Sequence, residues 1–99
     1  MADERIRVVA RIVSKPETAG DTRALLKGLL EPTRKESGCV RYELMQNRAN
    51  PAEFTFVEEW ANEAALKAHF GTEHVKAAFA KVPALLAEAP DIRQYTLIA

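Results

Sequence analysis

The sequence lacks the features that mark several large protein classes. It holds one cysteine, Cys39. A single thiol makes no intrachain disulfide and offers no Cys-rich zinc site. No apolar run approaches the ~18–20 residues that cross a bilayer. The first residues, Met1 to Arg7, are charged and lack the apolar stretch of a secretory signal. Net charge is missing too: 14 basic and 14 acidic residues cancel to +0. Basic residues are scattered among acids, so no field steers the chain to nucleic acid. There is no GxGxxG fingerprint, Walker A loop or HExxH zinc motif, and no GxSxG elbow or RNP-type aromatic string. The expectation is a reduced, cytoplasmic protein with no membrane or nucleic-acid partner.

What is present is an ordinary globular balance, 47% apolar and 28% charged in 99 residues. That length allows one domain, residues 1–99, and no separate cofactor domain. A chain of this size buries only roughly 60–65% of its unfolded surface. With no net charge to keep copies apart, self-association is expected.

Residues Arg5 to Val13 alternate and are β-branched, which predicts a strand. Ile6, Val8, Ala10 and Ile12 share one face. A helix is expected from Thr18 or Asp21 to Ser37, with a kink or break at Pro32 and Gly38 as its C-terminal cap. Cys39–Met45 and Glu53–Ala61 read as strands joined by the turn-rich Asn47–Pro51. Asn62 caps a helix from Glu63 to Phe70, which ends at Gly71. Thr72 caps a second piece holding Val75, Ala78, Phe79 and Val82. A last strand is expected over Ile92–Ile98. The order gives an α+β, ferredoxin-like (βαββαβ) antiparallel sheet with helices on one face. The other face, with Val9, Val13, Val57 and Leu97 among charges, needs a cover, and a second copy of the chain supplies one.

Few residues suggest chemistry. Glu58 shares a strand face with Phe54, Phe56 and Trp60. A carboxyl there has its pKa raised by desolvation unless it is paired. It reads as a general base or substrate-orienting acceptor, or as an ion pair with Arg7, Arg11 or Arg41. His69 and His74 flank the break between the two helical pieces and suit proton transfer. With no third ligand nearby in sequence they make a weak metal signal, and no metal is expected. Tyr42, Trp60, Phe70 and Phe79 either line a pocket for an aromatic ligand or pack as core.

The segment Glu36-Ser37-Gly38-Cys39-Val40-Arg41-Tyr42-Glu43-Leu44 resembles the entry to the second strand of the antibiotic biosynthesis monooxygenase (ABM) family. Phe54-Thr55-Phe56-Val57-Glu58-Glu59-Trp60, Ala64 to His69 and Thr72-Glu73-His74 resemble its second block. The likeness implies a ferredoxin-like protomer in a homodimer with a dimeric α/β barrel-like core, and a pocket between sheet and helices. The haem-degrading branch carries an asparagine, a tryptophan and an axial histidine where this chain has Ile12, His69 and Phe79. Without that histidine the iron has no evident protein ligand, so haem degradation is not expected. The set Tyr42, Glu58, Trp60, His69 and His74 fits small quinol-monooxygenase-like members. The resemblance thus implies a cofactor-independent monooxygenase that joins dioxygen to a small quinol or polyphenol. In that reading His69 or His74 is the base, Glu58 orients, and Tyr42, Trp60, Phe70 and Phe79 wall the pocket. The alternatives are a non-catalytic dimeric ligand-binding or stress-response module, and an isomerase of a small carbonyl compound.

Overall fold

A computed structural model describes residues 4–99. Strand β1 spans Ile6–Val13, β2 Cys39–Gln46, β3 Glu53–Trp60 and β4 Asp91–Tyr95. They form one antiparallel sheet in the order β2-β3-β1-β4. Helices α1 (Ala19–Lys27) and α2 (Leu30–Arg34) link β1 to β2. Helices α3 (Glu63–Phe70), α4 (Glu73–Ala80) and α5 (Val82–Leu85) link β3 to β4. This is the expected ferredoxin-like α+β fold.

Alternation decides which side faces the helices. Val8, Ala10 and Ile12 of β1 are buried, and so are their β3 partners Glu58, Phe56 and Phe54. Together with Tyr42, Leu26, Leu29, Leu66 and Trp60 they make the core. Val9 points the other way and is 37% exposed, opposite Val57. On that open face Glu59 pairs with Arg5 and Arg7, at 3.2 Å and 2.8 Å.

The long helix is interrupted, but not at Pro32. It breaks at Gly28–Leu29, and Pro32 becomes the third residue of α2. The reason is steric and electronic. A continuous helix would press the proline ring on the Gly28 carbonyl and leave that carbonyl without its N–H donor. Restarting at Leu30 puts Pro32 in a first turn, where no donor is needed. Arg34 then pins α2 to the sheet, its Nε and Nη2 donating to the Tyr42 carbonyl at 3.1 Å and 2.8 Å.

Gly38 is left-handed, at φ 89°. It does not cap the helix, which has already ended at Arg34. It turns the chain into β2 beside α3, where a Cβ would stand 2.6 Å from the Cβ of Ala65. Next to it lies a bulge. Cys39 pairs with Trp60 and Arg41 with Glu59, so Val40 is an extra residue in β2. Both expected caps of the second helical block are present: Asn62 accepts from Ala65 N and Thr72 from Val75 N. Val82 does not extend α4. It opens α5, with Pro83 in the first turn. The last strand stops at Tyr95, so Leu97 and Ile98 lie beyond the sheet.

Candidate functional site

A cavity lies between the sheet and the helices. Its walls come from all four strands on one side and from α1, α3, α4 and α5 on the other. Tyr42, Glu58, His69, Phe70 and Phe79 all line it. Phe79 is 43% exposed and stands at the mouth with Lys81. The remaining lining is almost wholly aliphatic. The volume is about 70 Å³. Ligand pockets usually hold ~300–1,000 Å³, so a ring-sized guest needs the cavity to widen.

Glu58 is the one carboxyl in this lining. It is 5% exposed and takes a hydrogen bond from Trp60 Nε1–H at 2.8 Å. None of the arginines expected beside it arrives: Arg7 goes to Glu59, Arg11 to Glu53 and Glu88, and Arg41 to Glu43. Burial therefore pushes its pKa up to about 7, helped by the charge of Glu36 and partly offset by the Trp60 N–H. Tyr42 is stacked on Phe56 at 4.8 Å, and burial raises its pKa as well, so its hydroxyl stays protonated.

His69 is the next-to-last residue of α3 and is 3% exposed. Its ring packs on Trp60 at 4.6 Å, with Phe70 at 5.5 Å and Tyr42 at 5.7 Å. Its Nδ1 lies 2.8 Å from Glu36 Oε2. Burial lowers its pKa against the pull of Glu36. His74, in the first turn of α4, places Nε2 2.7 Å from the same Glu36 oxygen. The helix break at Gly71–Thr72 thus brings the histidines together, with ring centroids 6.1 Å apart.

Two expected positions fall elsewhere than the cavity wall. Trp60 is fully buried behind it, bracing Glu58 and His69. His74 is outside the lining and faces Glu36. The residue that sequence reasoning missed is Glu36. It lies 33 and 38 positions from the two histidines, in the turn before β2, so no local spacing ties it to them. It supplies the third ligand that the sequence did not reveal. Glu36, His69 and His74 keep their ligand atoms within 4.8 Å of one another, a set able to hold a metal ion.

An antiparallel sheet covered on one face by helices, with an apolar cavity between the layers, defines the ferredoxin-like class of fold. The comparisons say which family. The family model for antibiotic biosynthesis monooxygenase matches residues 5–81, and the chain belongs to that family. Among curated proteins it is 35% identical to sll1783 of Synechocystis over 97% of its own length, and it spans 65% of that longer relative. It is 31% identical to "Putative monooxygenase YcnE" of Bacillus subtilis, covering 84% of this chain and 87% of that one. Among solved structures, PA3566 of Pseudomonas aeruginosa matches with a TM-score of 0.93 and 31% identity, covering 100% of this chain and 99% of the other.

Proposed function

We propose that the chain oxygenates a small quinol or polyphenol in this cavity, with the substrate supplying the electrons, and that it works as a homodimer. The observation that carries this reading is Glu58: an unpaired carboxyl, buried in an apolar cavity, with a pKa near 7. A base so placed is matched to work at neutral pH.

A phenol has a pKa of ~10 in water. Glu58 takes its proton, and the phenolate is the better electron donor. One electron passes to dioxygen, giving superoxide and a phenoxyl radical, and the two combine into a C–O bond. Glu58 returns the proton to the peroxide. Loss of the ring C–H and of water then leaves a new carbonyl. One oxygen atom ends in the product and the other in water, with all electrons drawn from the substrate. The site has only to hold the ring, move the proton and exclude water. Tyr42, Phe70 and Phe79 supply the ring contacts. His69 orients the substrate hydroxyl from the cavity edge, Trp60 braces both Glu58 and His69, and His74 acts on His69 through their shared partner Glu36. These roles move the base from the histidines to the carboxyl.

The dimer reading rests on the open sheet face, where Val9, Val57, Met45 and Tyr95 stand among ion pairs. The decisive experiment incubates metal-stripped protein with a quinol panel under labelled dioxygen. One labelled atom in the product is expected. Ligand-induced thermal stabilisation with no oxygen uptake would instead establish a binding module.

A further inference from the structure

We propose that Glu36, His69 and His74 form a binding site for one divalent ion of the zinc type. The three donors come from three separate segments: the turn before β2, the end of α3 and the start of α4. They converge where the helices break. Imidazole and carboxylate are ligands that such ions favour.

The geometry is that of a site with one fixed and two adjustable ligands. His69 is held by the Trp60 ring at 4.6 Å and has almost no exposure. Glu36 lies in a turn, and His74 occupies a first helical turn; their side chains are 14% and 24% exposed. Ligands at ~2.0–2.2 Å around a tetrahedral ion stand ~3.3–3.5 Å apart. Glu36 Oε2 now lies 2.8 Å and 2.7 Å from the two ring nitrogens. An ion therefore asks the carboxylate to swing off the ring edges and the rings to close on it. Thr72 Oγ1 donates to the His69 carbonyl at 2.7 Å and so anchors the end of α3; it also lies 3.3 Å from His74 Nε2, a contact that coordination at that nitrogen would replace. Three protein ligands and a partly exposed rim leave one coordination position for water, which also gives an entry path.

The ion would sit beside the cavity, not in it. Glu36 and His74 are outside the lining, and His69 turns Nδ1 towards Glu36. Coordination at Nδ1 requires its lone pair, so the ring proton moves to Nε2. His69 then becomes a hydrogen-bond donor towards a ligand, which favours an anion over a neutral phenol.

Calorimetric titration of EDTA-stripped protein with Zn²⁺ tests the site, with Co²⁺ absorption as a second readout. One equivalent per chain and a four-coordinate Co²⁺ spectrum are expected. Glu36→Gln and His74→Ala, checked for folding by circular dichroism, should each weaken binding by more than the ~10–100-fold typical of outer-shell changes. Nitrogen-15 NMR should show the His69 proton on Nδ1 without Zn²⁺ and on Nε2 with it. No binding up to millimolar Zn²⁺, or equal binding by both variants, would overturn the proposal and leave the cluster a purely hydrogen-bonded one.

Discussion

Glu58 and Glu59 are adjacent acids with opposite fates. Glu59 faces the open side and meets Arg5 and Arg7, whereas Glu58 faces the core and meets only Trp60 Nε1–H. An acid whose folded pKa lies above its unfolded value binds its proton more tightly when folded. For Glu58 that stabilisation is fully present below about pH 4.5 and is lost as pH rises through about 7. The loss is on the order of 3 kcal/mol. Around it stand Tyr42, His69 and the charge of Glu36, and no arginine. Glu58→Gln should therefore flatten the fall in melting temperature between about pH 5 and about pH 8. In the oxygenase reading wild-type rate should rise with pH through about 7, and the same variant should lose ~10²–10⁴-fold in turnover. Stopped oxygen-uptake traces over that pH range check both. The sequence exposed the buried carboxyl because strand alternation is local. It did not expose Glu36, because its partners are assembled only by the packing of α3 and α4 against the turn before β2.

Elements were legible where their signals are short-range. The Asn62 and Thr72 caps formed as expected because each side chain accepts from a backbone N–H three residues on. The helix break was misplaced because a proline acts on the carbonyl four residues earlier as much as on its own position. Thr72→Ala should cost about 1 kcal/mol from the lost cap, and more from the lost bond to the His69 carbonyl. Urea unfolding measures it. Gly38→Ala combines a left-handed φ with a Cβ set against Ala65. It should destabilise by about 2–4 kcal/mol, again readable by urea unfolding, and a Gly38→Ala protein of wild-type stability would contradict that packing.

On the scale of the molecule, the fold was readable because the strand order and the one-sided helices follow from pattern alone. What covers the open face is a matter between chains. If a second copy covers it, Val57→Lys should turn a sedimenting dimer into a monomer, since it puts a charge opposite Val9 at the centre of that face. A wild-type chain that sediments as a monomer would end the dimer reading. The extra residue in β2 has a consequence for how this protein tolerates change in chain length. Cys39 and Tyr42 are three positions apart, yet they pair with Trp60 and Glu58, two residues of the same face. Only an odd insertion reconciles those parities. Deleting Val40 would leave Cys39 and Tyr42 two positions apart, the spacing a regular ladder needs, so Tyr42 and Leu44 would keep facing inward and only the local bulge would be lost. At the bulge the chain can therefore shorten by one residue without moving the cavity wall, whereas the same deletion in the regularly paired part of β2 would send the side chains beyond it to the wrong face.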